Sequence, residues 1–288
     1  MAYQILGDVH THTIASRHAY STIGENVAAA KQAGLTFLGS ADHFGNMVYE
    51  EPSLINFQNF NNIHSWPRVW SGITVLRACE ADICDLKGGL YCQDLPCPAN
   101  IAGRPFRELK SLYDRVTEGL DYVVASIHNG EFAKGAPLAQ TTEMYVGALE
   151  DPKVFIIGHP GRSGIPFELD EVLGRAKDLH KCIEINEHTF GTDANGVFHD
   201  RCSEIAQRCA ELGVGVVVSS DAHICTDVGC FQRCSAMLDE IHFPQELIVN
   251  RSLEAFVGEL AASGVCDLTG LLDGSEEGSV RESLENEL

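Results

Sequence analysis

The chain has 288 residues, 44% of them hydrophobic, which is enough for one large core or two small ones. Its 41 acidic against 20 basic side chains leave a formal charge of −21, which works against non-specific binding to nucleic-acid phosphates or anionic lipid. Eleven cysteines without a C-x-x-C pair, and an N-terminus without an apolar leader, point to a cytoplasmic protein with reduced thiols; no apolar run nears the roughly 20 residues that cross a bilayer.

In chain order, short apolar runs alternate with amphipathic or alanine-rich stretches. The strand "YQILGDV" (3–9) leads into the histidine-rich "DVHTHTIASRHAYS" (8–21), and the helix "GENVAAAKQAG" (24–34) follows. Six further strands are expected: "LTFLGSAD" (35–42), "GITVLRACEA" (72–81), "DYVVASIH" (121–128), "VFIIGHP" (154–160), "CIEINE" (182–187) and "GVGVVVSSDAH" (213–223). Helices are expected at 141–150, 170–180 and 201–213, the last ending in a glycine suited to a C-cap. This βα alternation predicts one α/β domain built on a parallel sheet, either a (β/α) barrel or a doubly wound sheet. The Cys-, Gly- and Pro-rich segment 84–105 reads as an insert after the third strand. The domain is expected to span 1–265, with 266–288 an acidic, frayed tail; its last stretch, 273–288, carries six acids and one arginine.

Side chains alternate along a strand, so Asp8, His10 and His12 share one face if strand geometry persists that far. The two-residue spacing returns at Asp221 and His223, and in a closed barrel the first and last strands are neighbours. Between them, nearly every predicted strand ends in a potential ligand: His43, Glu80, His128, His159. With His18 from the first loop the set is His10, His12, His18, His43, Glu80, His128, His159, Asp221 and His223. An isolated H-x-H or D-x-H is as often a surface or satisfied core feature. What favours ligation is the clustering at strand C-terminal ends, where α/β folds place their sites. So many nitrogen and oxygen donors imply two or three divalent ions, and Glu80, with two oxygens, suits bridging; imidazole with carboxylate accepts Zn, Mn or Fe. His64, His180, His199 and His242 lie off this pattern and read as surface or capping residues. Cys225, Cys230 and Cys234, and also Cys79, Cys84, Cys92 and Cys97, read as packed thiols rather than a structural Zn site.

The ordered pieces "DVHTHT", "SADH", "ACEA", "SIH", "GHPG" and "SDAH" resemble the polymerase-and-histidinol-phosphatase (PHP) superfamily. "HAYST" (18–22), "WPRV" (66–69) and "EIN" (184–186) resemble its small stand-alone phosphatase-like members. The resemblance covers about residues 3–260. It implies a distorted, TIM-like seven-stranded (β/α) barrel with a trinuclear metal centre on its C-terminal face. By position, His10, His12, Glu80 and Asp221 would hold one metal; Glu80, His128 and His159 a second; His18, His43 and His223 a third. The implied activity is metal-dependent hydrolysis of a small phosphate monoester, with Glu80, Asp221 and His223 as catalytic residues. Arg17 and Arg162 would clamp substrate, whereas Arg77 should point away from Glu80. Asp8 is expected behind the ligands, orienting a histidine through its other ring nitrogen. A PHP-type nuclease and a non-catalytic metal-stabilised scaffold are the alternatives. No stable nucleic-acid complex and no membrane partner are expected, and His188 receives no role.

Overall fold

A computed structural model describes residues 3–272; the acidic run 273–288 lies outside the described residues. The strands are β1 (Gly7–Thr11), β2 (Phe37–Phe44), β3 (Val69–Trp70), β4 (Ile73–Asp82), β5 (Pro96–Ala99), β6 (Pro105–Ser111), β7 (Tyr122–Ser126), β8 (Val154–Ile157), β9 (Cys182–Asn186) and β10 (Val216–Ser219). Seven of them form a parallel sheet in the order β1-β2-β4-β7-β8-β9-β10, and these are the seven expected strands. β3 pairs antiparallel with β4. Helices cover the outside. The first, Ile23–Gln32, starts at a Thr22–Glu25 capping box, and Val197–Leu212 stops at Gly213 with φ 72°, the left-handed C-cap its sequence predicts. No described helix is long and apolar enough to cross a membrane.

Both faces of the sheet are apolar, which is why its strands read as continuous hydrophobic runs. Leu38, Val75, Cys79, Val123 and Ala125 face the helices, while Phe37, Leu76, Tyr122, Phe155 and Val217 fill the barrel. Phe256 of the helix Leu253–Ala262 packs its ring 5.6, 5.5 and 5.3 Å from those of Phe37, Tyr122 and Phe155. Phe37 and Tyr122 open their strands, so this aromatic plug seals the N-terminal end and leaves the C-terminal end for chemistry.

One boundary differs from the sequence expectation. Leu268 is buried and Cys266 and Leu271 pack against the barrel interior, so residues 266–272 belong to the folded unit rather than to a frayed tail. The insert is ordered as well. Ile83 bridges Leu90, β5 and β6 form their own hairpin sheet, and Leu90 and Cys97 are buried.

β1 and β10 share no ladder, only the bridge between Thr11 and Ala222 and the backbone bonds His12 N–Ala222 O (2.9 Å) and Asp221 N–His10 O (3.0 Å). Two side chains make up the seam. Asn250 Nδ2 donates to Gly7 O and Val218 O, both at 2.6 Å, and its Oδ1 accepts from Val218 N at 3.0 Å. Asp8 accepts from Ser220 N (3.1 Å), Ser220 Oγ and Gly229 N (2.9 Å). Asp8 therefore orients no histidine, contrary to the expectation. The β1–β2 register slips between Asp8 and Thr11, an extra residue that breaks the strict alternation, so Val9 enters the apolar interior while the Asp8 carboxylate joins the seam. Burial pushes the Asp8 carboxyl up to about 6. Asn250→Ala would strand buried groups on both strands, each costing about 1–3 kcal/mol. We expect urea unfolding to show a loss on the order of 3 kcal/mol; a change within experimental scatter would show that the seam holds without it.

Candidate active site

All nine predicted donors meet at the C-terminal mouth. His10 comes from β1 and His12 directly follows it, while His43 comes from β2 and Glu80 from β4; His128, His159 and Asp221 each stand two residues beyond β7, β8 and β10. The Nε2 atoms of His10 and His12 lie 3.2 Å apart, and His12 Nε2 lies 2.9 Å from Asp221 Oδ1. Glu80 sits centrally. Its Oε2 is 2.7 Å from His43 Nδ1 and 3.3 Å from His10 Nε2, and its Oε1 is 2.8 Å from His159 Nε2 and 3.3 Å from His128 Nε2. His18 Nε2 approaches His43 Nε2 (3.2 Å) and His223 Nε2 (3.1 Å).

Three triads of ligand atoms lie within 4.8 Å of one another: His10, His12 and Asp221; His43, Glu80 and His128; His12, His43 and His223. His43 Nδ1, Glu80 Oε2, His128 Nε2 and His159 Nδ1 are buried without any hydrogen-bond partner. The His43 and His128 nitrogens lie at ion-pair distance from Glu80 without hydrogen-bond alignment, and a divalent cation is what this crowd of nitrogen and carboxylate oxygen donors fits. These groupings overlap the implied partition: His43 stands with Glu80 and His128, His159 Nε2 lies 2.8 Å from Glu80 Oε1, and His18 touches His43 and His223.

Electrostatics divides the histidines: against burial, the carboxylates hold His10 well above the ordinary range and, through Glu80 and Asp82, take His128 up to about 10, while others are lowered. Burial lowers His12 far below the usual imidazole value, and burial with the Arg162 guanidinium takes His159 down to about 4. Burial also lowers His18 and His223, so these rings keep a free lone pair. Burial alone would raise the carboxylates, but the surrounding histidines outweigh it and hold Glu80 and Asp221 ionised. His10 runs the other way: burial opposes its charge, but Glu184, Glu80 and Asp221 together raise it well above the ordinary range.

The ring nitrogens turned away from the cluster are held by side chains that sequence reasoning did not identify. Glu184 Oε1 pairs with His10 Nδ1 at 2.7 Å and accepts from Ser219 Oγ, and its Oε2 accepts from His159 N at 2.7 Å. Asp82 holds His128 Nδ1 at 2.6 Å. Asp42 reaches His12 through Ser16, whose Oγ lies 3.0 Å from His12 Nδ1 and donates to Asp42 Oδ1 at 2.6 Å. One signal was present: Glu184 is a lone carboxylate flanked by Ile183 and Ile185 in the strand "CIEIN", inward by the same alternation that brings Cys182 into the barrel. His159 (φ 29°) and Asp221 (φ 55°) adopt left-handed backbone, at roughly 1–3 kcal/mol each for a residue with a Cβ.

Above the cluster opens a cavity of about 530 Å³ lined by, among others, His18, Met47, His128, Arg162, His188 and His223. Arg162 Nη1 donates to Asp221 Oδ2 at 3.1 Å. Arg17 is not in the cavity: it donates to Val48 O (3.2 Å) and lies 4.8 Å over the Tyr49 ring. Arg77 donates to Trp66 O, away from Glu80 as expected. His180 and His199 pair with surface carboxylates, and no disulfide joins any of the eleven cysteines.

Residues 8–193, more than half of the sequence, match the family model for the PHP domain. The chain belongs to the PHP domain family. A protein of Clostridium acetobutylicum named a "probable phosphatase" is 34% identical over 89% of this PHP chain and 95% of its own length. A second "probable phosphatase", from Caldanaerobacter subterraneus subsp. tengcongensis, is 36% identical over 88% of this chain and 90% of its own. Among solved structures, the histidinol phosphate phosphatase of Lactococcus lactis, complexed with zinc, L-histidinol and phosphate, superimposes with a TM-score of 0.52. It shares 15% identity and covers 84% of this chain and 95% of its own, a likeness of fold: the TIM-like PHP barrel.

Glu184→Gln keeps the shape but sets an amide NH2 against donors. Losing an outer partner of a ligating histidine costs about 10–100-fold in metal affinity. Competition against a chromogenic chelator should show a loss of that size, and an unchanged affinity would mean that His10 is held without it.

Proposed function

We propose that this PHP protein is a metal-dependent phosphatase that hydrolyses small phosphate monoesters at a cluster of two or three divalent ions. The observation that carries the reading is the convergence of nine nitrogen and oxygen donors, six of them on buried residues, beneath an open cavity with a guanidinium on its wall. The names of its curated relatives support the reaction class. His10, His12 and Asp221 would hold one ion and His43, Glu80 and His128 another; His223, His12 and His43, with His18 beside them, offer a third position. Zn, Mn and Fe all suit these donors. Such ions, when bound, polarise phosphoryl oxygens and bring the pKa of water to about 7.

The chain's own residues set the geometry. Glu80, with one oxygen towards His10 and His43 and the other towards His128 and His159, keeps the two sides of the cluster together. Asp221 anchors Arg162, whose remaining N–H groups face the cavity and clamp a phosphate. Glu80, Asp221 and His223 are the proposed catalytic set. An overall charge of −21 is compatible with an anionic substrate because local ions and Arg162 dominate the field inside the cavity, and it disfavours a nuclease.

Elemental analysis should find two or three metals per chain. The loaded protein should turn over alkyl, aryl, nucleoside or histidinol monoesters, lose that activity to a chelator and regain it with Zn, Mn or Fe. A single-stranded oligonucleotide trimmed faster than every monoester would make the protein a nuclease; bound metal with no turnover at all would make it a scaffold. Arg162→Ala removes charge-assisted hydrogen bonds worth about 1.5–3 kcal/mol, so KM should rise roughly 10–100-fold with metal content unchanged. An unchanged KM would remove Arg162 from substrate binding.

A further inference from the structure

One imidazole on the cavity wall remains unused. His43 and His128 meet Glu80, His223 contacts Asp221, and His18 points at His43 and His223. Arg162 spends one N–H on Asp221, and Ser163 Oγ is engaged with Tyr145 and Pro160 O. His188 lines the same cavity, belongs to no ligand triad, and makes no hydrogen bond or ion pair among the described residues. Its ring lies 5.8 Å from that of His223.

The backbone that carries His188 is fixed on both sides. Asn186 caps the short helix Glu187–Gly191, its Oδ1 accepting from Thr189 N (3.0 Å) and Thr189 Oγ1 (3.1 Å). The buried Glu187 carboxylate accepts from Arg233 N (3.0 Å) and Cys234 N (2.8 Å). Asn186 Nδ2 also donates to Asp221 Oδ2 at 3.2 Å, the oxygen that Arg162 binds. The turn bearing His188 and the guanidinium are therefore registered against one carboxylate. His188 itself is exposed on the cavity wall, so its backbone is fixed while its imidazole stays open to a ligand.

We propose that His188 is a substrate-positioning residue, whose imidazole donates a hydrogen bond to the phosphate group of the bound monoester and complements Arg162. The ligand's identity rests on the phosphatase reading. The role does not depend on charge state, because neutral imidazole has one N–H and the imidazolium two. A site that takes phosphate from two side chains registered against one carboxylate selects compact monoesters that bring the phosphate down between them.

The test is calorimetric titration of inorganic phosphate into the metal-loaded wild type, His188→Ala and His188→Gln, alongside metal content, melting temperature and steady-state kinetics. His188→Ala should bind phosphate about tenfold more weakly, the equivalent of one hydrogen bond to a charged group, with KM raised by a similar factor, kcat little changed, and metal content and melting temperature as in the wild type. His188→Gln, which keeps an N–H, should recover most of the affinity. Unchanged phosphate affinity in His188→Ala would overturn the proposal, and so would a loss of affinity that follows a loss of metal. A wild type that binds phosphate yet turns over no monoester would defeat the phosphatase reading alone, since the phosphate titrations still judge His188.

Discussion

The mouth of the barrel depends on the junction between β1 and β10. These strands and the residues just beyond them deliver His10, His12, Asp221 and His223, yet they have one bridge between them instead of a ladder. A shared ladder would fix the pair by repetition of identical bonds. Here the junction is made by two side chains: Asn250 supplies three hydrogen bonds below, and Asp8 supplies three above. The open seam also frees Asp221 to turn into left-handed backbone, with its amide still satisfied by His10 O, so that its carboxylate points into the site. Closure and ligand placement are the same event.

Filling that mouth with imidazoles and carboxylates has an energetic consequence. Six buried imidazoles and carboxylates crowded together, two of them on strained backbone, oppose folding. The rest of the fold must outweigh this, and the double-faced apolar sheet and the aromatic plug supply the means. An ion that binds the native cluster and not the unfolded chain returns part of the deficit by mass action. The site is thus kept in shape by its outer partners, Glu184, Asp82 and Asp42, which lock the ring orientations before any cation arrives.

The seven strands and the convergence of nine donors at one mouth could be read from the sequence because both obey short-range rules: apolar runs mark strands buried on two faces, and strand ends mark the site. Where a longer-range interaction decides, reading failed. A one-residue register slip in β1, which no local pattern announces, diverted Asp8 from the histidines to Ser220 and Gly229. Asn250 lies in an ordinary loop sequence and gains its role only because two distant strands stop short of pairing. Arg17 looked equivalent to Arg162 in sequence, yet Val48 and Tyr49 hold it outside the cavity. Glu184 was passed over because its partners, His10 and Ser219, are remote in sequence.

The two ends of the barrel divide the work at Tyr122. Its ring belongs to the plug, 5.5 Å from Phe256, while its hydroxyl donates to Val9 O at 2.7 Å, one residue below His10. Gly39 is required there, because a Cβ would collide with that hydroxyl oxygen. Burial holds the phenol far above its ordinary range, so the floor under the cluster stays neutral as well as dry. Coulomb interactions strengthen as the surrounding medium becomes less polar, so such a floor increases the pull of Glu80 and Asp221 on cations. The apolar plug and the polar mouth are therefore one device: the same aromatic packing that stabilises the barrel sets the field in which its ligands act.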